Sequence, residues 1–395
     1  MKDIKKIALL GLGSINWIGG TQYITNIIDA LDTISDEHPV EIHLIKNSWQ
    51  NYPELNKFTK NKIVIEDFNT IFPPWSFTNR VKWFLQRKFT NSIYPRHENF
   101  FIDNGYDYVF PHTCSDQNGK LNVGSWIADF QYHHFPDGAS KEVTEAAYNE
   151  ISFTARISSK IILSSKACEQ DCNMLFPETK GKTFAMPFTV FLDEQLLQFN
   201  DFSSLIAKYR IPENFLIVSN SFSPTKNHKT LFRALQILNE QGIKEPVVCT
   251  GNIVDQRNVH FGNEILQMLT EYKVRDQVNM VGIIPRADQV ALYRMSKAMV
   301  QPSVNEGWST PVEEAKNLGK DLIVSDIDVH KEQCPGNPYL FQKLNAEDMA
   351  EKIKQVWTAN LDKKFPNLEQ ERKAFAAYRE QVKAFGRRIL EVAAK

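Results

Sequence analysis

The alternation of strand-like and helix-like segments is the feature that most restricts how this chain can fold. Apolar runs at 6–13 and 40–46 have the pattern of buried strands, and the segment 21–34 between them carries apolar residues at helical spacing. The later strand patterns fall at 106–112, 123–130 and 159–165. Strands that alternate with helices predict a parallel sheet covered by helices on both faces.

The same alternation starts again near residue 215. Strands are predicted at 214–220, 246–251, 278–282, 298–303 and 321–326, and helices at 228–242, 262–273, 288–296 and from 310 to about 318. A chain of 395 residues also exceeds what one hydrophobic core usually supports. The sequence therefore predicts an α/β protein with two Rossmann-like doubly wound domains at 1–190 and 210–360, joined by a linker at 191–209. Residues 361–395 are predicted to form helices that pack back on the N-terminal domain.

Composition excludes several classes of protein. The formal net charge is −1, and no zinc-finger or RNP motif occurs, so we expect no nucleic-acid binding. Five scattered cysteines predict reduced thiols in the cytoplasm, and Cys168 and Cys172 are one residue too far apart for the usual redox pair. No His/Cys pattern suggests a metal site. The apolar run near the N-terminus is too short for a signal peptide or a membrane span.

The segment 305–316, NEGWSTPVEEAK, surrounds a turn with three glutamates. Thr310, Pro311 and Glu313 fit a capping box. In such a box the threonine caps the helix, the proline takes the first helical position and the glutamate reaches back to the cap. This pattern predicts a structural role for Glu313.

The other two acids, Glu306 and Glu314, stand eight residues apart on either side of the turn. Between them lie the backbone N–H groups of 307–310 at a helix N-terminus, which attracts anions through its dipole and its N–H groups. Such a site suits a diphosphate in the middle and hydroxyl-bearing sugars at the flanking acids. The alternative is that these acids have no role in binding and simply lie at the start of a helix, where acidic residues are common.

From 298 to 332 the sequence resembles the E-x7-E segment of the retaining family 4 glycosyltransferases, which are GT-B enzymes that use nucleotide-diphospho-sugars. The resemblance implies that Glu306 holds hydroxyls of the donor sugar and that Glu314 holds the ribose hydroxyls of the nucleotide. It also implies that the backbone between them holds the diphosphate, through Gly307, Trp308, Ser309 and Thr310. The family usually has Gly-Phe-Gly-Leu-Pro where this chain has Gly-Trp-Ser-Thr-Pro, so the spacing is kept and two residues differ.

A second part of the resemblance lies at 216–231. Lys226 matches the lysine that grips the diphosphate in the family, whereas Asn220 stands where the family usually has an arginine. His228 and Lys229 are candidates to replace that missing cation. The alternative for Lys226 is an ordinary solvated lysine on a loop.

Two stretches of the N-terminal half also resemble the family. Gly19 and Gly20 match its glycine turn between the first strand and the first helix, where glycine lets the backbone approach the sugar-phosphate. Gly11-Leu12-Gly13 invites a rival interpretation as a dinucleotide fingerprint, but the third glycine is missing.

The stretch 126–136 resembles the WI-x-DFQ segment of a bacterial, rhamnosyltransferase-like branch of family 4. Many relatives have a His-Asp pair at this strand end, near the reacting sugar. Asp129 matches the acid of that pair, and Ala128 stands at the position of the histidine. His133 and His134 are weaker candidates, because a histidine in such a segment is as often structural as catalytic.

The nucleotide base is expected near Gly251 and Ile283, where backbone groups usually bind it in this family. A basic and aromatic stretch at 73–97 suits an interfacial helix on anionic lipid, or a helix that packs its aromatic side chains onto the N-terminal sheet.

The sequence thus predicts a retaining, metal-independent glycosyltransferase of bacterial surface polysaccharide synthesis, such as O-antigen or capsule. Its donor is a nucleotide sugar and its acceptor is a glycan or a lipid-linked molecule. Asp129, Lys226 and Glu306 are the predicted catalytic residues. The alternative is a non-catalytic carbohydrate- or nucleotide-binding protein on a GT-B scaffold. A Rossmann dehydrogenase is a third possibility.

Overall fold

A computed structural model describes residues 4–13, 18–52, 55, 60–72, 95–114, 120–254, 258 and 260–395. The chain forms two compact units. The first contains 1–129, 148–191 and 380–395, and the second contains 130–147 and 192–379. In the parts of the chain that the structure describes, no helix is both long and apolar enough to cross a membrane. Most of the aromatic stretch 73–97 lies outside the described residues.

The first unit is built on parallel strands. They are β1 (Lys6–Leu10), β2 (Glu41–Lys46), β3 (Lys62–Asp67), β4 (Tyr108–Phe110), β5 (Ser125–Ile127), β6 (Ile161–Leu163) and β7 (Thr183–Ala185). Four of them pair in the order β3-β2-β1-β4 and three in the order β5-β6-β7, with a bridge from Val109 to Val123 between the two sheets. The middle of β1 is fully buried, as a strand between helices on both faces must be.

The helices up to residue 191 are partly unlike those that the sequence predicts. They are α1 (Ile18–Thr33), α2 (Phe68–Ile71), α3 (Pro95–Asp103), α4 (Gln131–His134), α5 (Lys141–Ile157) and α6 (Lys166–Leu175). Periodicity predicted α1 but neither α5 nor strand β3, because both carry many polar residues and are partly exposed. Strand β4 ends before Pro111, which has no N–H to donate to a sheet.

The second unit contains one six-stranded parallel sheet. Its strands are β8 (Leu216–Ser219), β9 (Val247–Thr250), β10 (Val278–Gly282), β11 (Ala298–Gln301), β12 (Asp321–Ser325) and β13 (Leu340–Phe341), in the order β10-β9-β8-β11-β12-β13. All six pair in parallel, as predicted. The strand order changes direction between β8 and β11, and ligands of such folds bind outside the carboxyl ends of the strands at this point.

Helices cover both faces of that sheet. They are α7 (Phe202–Tyr209), α8 (His228–Glu240), α9 (Phe261–Glu271), α10 (Arg286–Met295), α11 (Thr310–Asn317), α12 (Asp328–Gln333), α13 (Ala346–Ala359) and α14 (Leu368–Ala394). The core between them is apolar, and Leu231, Leu235 and Ile353 are all fully buried in it. Helix α14 starts in the second unit, and its residues from 380 onwards belong to the first. From the sequence we expect 1–190 to bind the acceptor and 210–360 to bind the nucleotide sugar, and both roles stay predictions.

Candidate functional site

The carboxyl ends of β8 and β11 bring two predicted site residues together. Lys226 ends a 3₁₀ turn (Pro224–Lys226) that follows β8, and Glu306 follows β11. Because the two strands are neighbours, the Lys226 ammonium lies 2.6 Å from the Glu306 carboxylate. A backbone hydrogen bond of 2.9 Å from Val304 to Thr225 joins the two loops.

One oxygen of Glu306 accepts all of its hydrogen bonds. Lys226, Gln301 and Ser303 donate to Oε1 at 2.6, 2.8 and 2.7 Å. No residue in the described part of the chain donates to Oε2, which leaves that oxygen for a ligand. Burial raises the pKa of Glu306, but the charge and hydrogen bond of Lys226 outweigh burial, so the net shift is downward and the side chain is an anion.

A histidine that the sequence did not single out lies beside this pair. His330 is fully buried, and its Nδ1 lies 3.0 Å from the backbone carbonyl of Ser325, which can only accept. Nδ1 therefore carries the hydrogen, and the buried Nε2 keeps a lone pair without a hydrogen-bond partner. Burial lowers the pKa of His330 to about 4 in spite of the nearby Glu306 charge, so the ring is neutral at pH 7.

The other flanking acid has its own cation. Glu314 Oε1 lies 2.5 Å from Nη1 of Arg286, the first residue of α10. The Glu314 side chain is 5% exposed, whereas that of Arg286 is 27% exposed. Sequence reasoning missed Arg286, because a single arginine at a helix start belongs to no motif. Its position after β10, at the same sheet edge as Lys226, is visible only in the fold.

Glu313 does not form the predicted capping box, so that prediction is wrong. Ser309, not Thr310, is the N-cap residue of α11, and its side chain makes no capping hydrogen bond. The buried Glu313 carboxylate instead accepts from Lys316 at 2.9 Å, from Gln333 at 2.8 Å and from the hydroxyl of Tyr378. These three stronger donors draw the side chain away from the helix start.

The turn between the two acids is also held by Gln333. Its Nε2 donates to the Ser309 carbonyl at 2.8 Å, and the Ser309 N–H donates weakly to its Oε1 at 3.3 Å. The Ser309 N–H is therefore already engaged in the free protein. Gly307 is buried at this turn, and Trp308 and Thr310 are half-buried. Their predicted contacts with a diphosphate stay predictions.

Asn220 cannot supply the missing positive charge, and neither can His228. Asn220 is buried and exchanges hydrogen bonds with Gln301. His228 is fully buried and stacked on Phe222 with 4.2 Å between ring centroids, and burial lowers its pKa to about 3. The expectation that His228 could serve as a cation is therefore wrong. Lys229 is exposed on α8.

Two residues expected at the nucleotide base lie at the ends of β9 and β10. Gly251 has φ +121°, and a Cβ at this position would stand 2.2 Å from the Asn220 carbonyl oxygen, so no other residue fits. Its N–H donates to the Gly282 carbonyl at 2.9 Å. Ile283 is 67% exposed, and it presents an apolar surface at the same edge of the sheet as Lys226. Their role in base binding stays a prediction.

The remaining candidates lie in other places. Gly19 and Gly20 are in the first turn of α1, exposed and buried respectively. Asp129 is half-buried after β5, in the first unit. His133 and His134 are exposed on α4, in the second unit. A Cβ on Gly11 would stand 2.6 Å from Gln50 Oε1, so packing explains the first glycine of the rival fingerprint.

Comparisons with known proteins found one family match and several relatives that resemble part of the chain. Residues 201–379 match the family described as Glycosyl transferases group 1. A segment of 157 residues, 39% of this chain, is 26% identical to the serotype-specific mannosyltransferase WbdA of Escherichia coli, and covers only 19% of that protein. The O-antigen chain mannosyltransferase B of Escherichia coli is 25% identical over 126 residues, which are 31% of this chain and 32% of that protein.

Solved structures resemble the whole chain. A glycosyltransferase from Rickettsia africae superimposes with a TM-score of 0.65 at 16% identity, over 99% of this chain and 98% of that one. Anabaena Alr3699/HepE in complex with UDP and glucose superimposes with a TM-score of 0.66 at 15% identity, over 99% and 100% of the two chains. The prediction of the fold is confirmed. The chain has the GT-B fold of the glycosyltransferases, and its residues 201–379 match the group 1 domain of these enzymes.

Proposed function

We propose that this protein is a retaining family 4 glycosyltransferase. It transfers a sugar from a nucleotide-diphospho-sugar to a glycan or a lipid-linked acceptor. The observation that carries the proposal is the Glu306–Lys226 pair at the switch point of the second sheet, with Glu306 Oε2 left without a donor among the described residues. A paired cation and anion at this edge suit a ligand with a phosphate next to a sugar.

In this proposal Lys226 and Glu306 act through electrostatic interactions and hydrogen bonds. The bond between the anomeric carbon and the diphosphate breaks, and a bond from the same carbon to the acceptor oxygen forms on the same face. The Lys226 ammonium stabilises the negative charge that develops on the leaving diphosphate. That phosphate takes the acceptor proton. Glu306 Oε2 accepts a hydrogen bond from a donor-sugar hydroxyl and so positions the anomeric carbon.

The relatives suggest which donor to test first. WbdA and the O-antigen chain mannosyltransferase B are named for mannosyl transfer and for the O-antigen. We therefore include a mannose donor and a surface-polysaccharide acceptor in the proposal. The proposal also includes metal independence, a cytoplasmic location and contact of 73–97 with an anionic membrane. These three parts rest on the resemblance and on the sequence. Sugar transfer in the presence of EDTA tests metal independence. Flotation of the protein with anionic vesicles at low salt tests the membrane contact.

The decisive experiment measures sugar transfer. A thermal-shift screen with UDP, GDP, dTDP and CMP sugars identifies the donor, and transfer is then followed with wild type, Glu306→Gln and the exposed control Glu347→Gln. We expect Glu306→Gln to lower the transfer rate by about 10²–10³-fold, as the loss of one transition-state contact does. Folding should hold, because Lys226 is 25% exposed and can turn to water. The anomeric configuration of the product, read by NMR, tests retention.

A non-catalytic binding protein remains the second candidate, and Asn220 is the observation that favours it. Its hydrogen bonds to Gln301 leave no charge where the family usually has an arginine. Donor binding by wild type without transfer to any acceptor, and without hydrolysis, would support this candidate and contradict the enzyme. Transfer that is equal in wild type and Glu306→Gln would also contradict the assignment of Glu306.

A further inference from the structure

A buried glutamine lies behind the Glu306 carboxylate and joins it to Asn220. Gln301 is the last residue of β11 and is fully buried. Its Nε2 donates to Glu306 Oε1 at 2.8 Å and to Asn220 Oδ1 at 3.2 Å. Its Oε1 accepts from Asn220 Nδ2 at 2.8 Å. One side-chain amide therefore connects the end of β8 to the acid that the sequence predicts to be catalytic.

The surroundings of this amide fix its orientation. A carboxylate can only accept, so the NH₂ group of Gln301 faces Glu306. Asn220 then donates one hydrogen bond to Gln301 and accepts one from it. Ser303 Oγ lies 2.9 Å from Gln301 Nε2 and itself donates to Glu306. Turning the amide over would place its oxygen against the carboxylate and two NH₂ groups against each other.

A second Asn–Gln pair in the same unit shows what distinguishes this one. Asn239 and Gln277 also exchange two hydrogen bonds, of 2.9 and 2.8 Å. Gln277 comes directly before β10, so this pair lies at the amino edge of the sheet, away from the ligand edge. Among the described residues no carboxylate bonds to its amide. An Asn–Gln pair can thus serve packing alone, and the bond to Glu306 is what sets Gln301 apart.

The donor diphosphate and Glu306 compete for the same ammonium group. In the free protein Lys226 Nζ lies 2.6 Å from Glu306 Oε1. In the proposed reaction Lys226 turns toward the leaving diphosphate, which weakens its contact with the carboxylate. The Glu306 side chain is only 8% exposed, so it needs other donors to stay an anion in a fixed position. Gln301 and Ser303 are neutral donors that stay in place.

We infer that Gln301 is a positioning residue of the transfer reaction, which holds the Glu306 carboxylate in place while Lys226 serves the leaving diphosphate. Asn220 keeps the Gln301 amide in the orientation that donates to the acid. This inference rests on the proposed function, and it adds two neutral residues to the site. It also explains why Asn220 suits this chain where the family usually has an arginine. An arginine has no acceptor and could not receive the second hydrogen bond of Gln301.

Sugar transfer by two leucine variants tests the inference, with the donor that the thermal-shift screen identifies. Gln301→Leu removes the bond to Glu306, and Gln277→Leu breaks the matched amide pair away from the acid. We expect Gln301→Leu to lower kcat/KM about ten- to a hundredfold, the effect of one hydrogen bond to a charged group. Its affinity for the nucleoside diphosphate, which lacks the sugar that Glu306 holds, should change less than about threefold. Gln277→Leu should change neither quantity by more than about threefold.

Gln301→Glu adds a pH dependence that a packing role would not produce. Glutamate has nearly the same shape, and one of its oxygens can still accept from Asn220. The ionised side chain repels Glu306, whereas the protonated side chain donates a hydrogen bond to it. Two carboxyl groups that share one proton keep it to a higher pH than a single one does. We therefore expect the transfer rate of Gln301→Glu, divided by that of wild type, to rise about tenfold from pH 8 to pH 6.

Three outcomes overturn the role of Gln301. They are transfer by Gln301→Leu within about threefold of wild type, losses of equal size in Gln301→Leu and Gln277→Leu, and a rate ratio of Gln301→Glu that stays constant with pH. Nucleoside diphosphate affinity that falls as far as transfer does in Gln301→Leu also overturns it, because the residue would then act on the nucleotide. If Gln301→Leu does not fold, the pH dependence of Gln301→Glu decides.

The failure of this inference is distinguishable from the failure of the proposed function. Loss of transfer in Glu306→Gln together with full transfer in Gln301→Leu leaves the glycosyltransferase standing and removes only the role of Gln301. If wild type transfers no sugar from any donor in the screen, the proposed function fails and the inference fails with it.

Discussion

Two arginines of helix α10 pair with buried glutamates, and the pairs differ in how far they are covered from solvent. Arg294 and Glu371 are 1% and 2% exposed, with 2.9 Å between Nε and Oε2. Arg294 also donates to the carbonyls of Leu196 and Phe199 at 3.2 and 2.7 Å. Arg286, eight residues earlier, is 27% exposed, and among the described residues it donates to Glu314 and Gln289.

The difference shows how a structural pair is distinguished from a ligand-facing one. Arg294 lies at the end of α10 and joins that helix to the segment before α7 and to the start of α14. Arg286 lies at the helix start, at the carboxyl edge of the sheet, and keeps one nitrogen unused. Glu371 also retains an unpaired Oε1, but its pair is closed to solvent. The two pairs therefore differ chiefly in the exposure of the cation, which is 27% for Arg286 and 1% for Arg294.

The largest effect is expected from breaking the structural pair. Arg294→Met leaves Glu371 buried without its partner, and this should lower the free energy of unfolding by about 3–5 kcal/mol. Nucleotide affinity of the protein that stays folded should not change. Urea unfolding and calorimetric titration measure the two quantities. A variant with weaker nucleotide binding and unchanged unfolding would show that the two arginines do not divide the roles in this way.

A smaller loss of stability is expected from Glu313→Ala. The sequence alone predicts a cost of about 1 kcal/mol, that of a lost helix cap. The structure predicts about 2–3 kcal/mol, because Lys316, Gln333 and Tyr378 all lose a buried acceptor, although Lys316 can turn to water.

Urea unfolding distinguishes the two values for Glu313→Ala. Tyr378→Phe removes only one of the three donors to Glu313 and should lower the free energy of unfolding by about 1 kcal/mol. Nucleotide affinity should be retained in both variants. A cost no larger than that of a cap would mean that the hydrogen bonds to Glu313 contribute little.

The smallest of these effects concerns a buried histidine whose ring nitrogens have no hydrogen-bond partner among the described residues. The pKa of buried His228 is lowered to about 3, below the value near 6.5 of an unfolded chain. As the pH falls, His228 therefore takes up a proton in the unfolded state before it does so in the folded state. Its contribution to the free energy of unfolding is complete above about pH 6.5 and is lost progressively toward pH 3. At pH 5 this one group should account for a loss of about 2 kcal/mol.

His228→Leu should therefore reduce the difference in unfolding free energy between pH 7 and pH 5 by about 2 kcal/mol. His112 and His330, whose pKa values burial lowers to about 4, still contribute the remaining dependence. Replacement of the exposed His260 by leucine serves as the control for the loss of one histidine. An unaltered profile in His228→Leu would mean that this ring is protonated without cost.

Much of the fold was predictable because its signals are local. The strand 278–282 was predicted with the bounds that the structure shows, and the strand predicted at 298–303 stops at Gln301 because Pro302 follows. Strand β3 was missed because charged residues take half of its six positions and none of its residues is fully buried. The candidate site was predictable in part, since Lys226, Glu306 and Glu314 stand in recognisable segments, but no local pattern singles out Arg286 or His330.

By itself, the sequence determined most of the buried strands and their covering helices, because hydrophobic periodicity acts over a few residues. Apart from the local pair of Glu313 with Lys316, the tertiary structure decided which partner each of the three glutamates has. Glu306 pairs with a lysine 80 positions away, Glu314 with an arginine 28 away and Glu313 with a tyrosine 65 away. The order of the strands in the sheet brings these residues together, and that order depends on packing between distant segments.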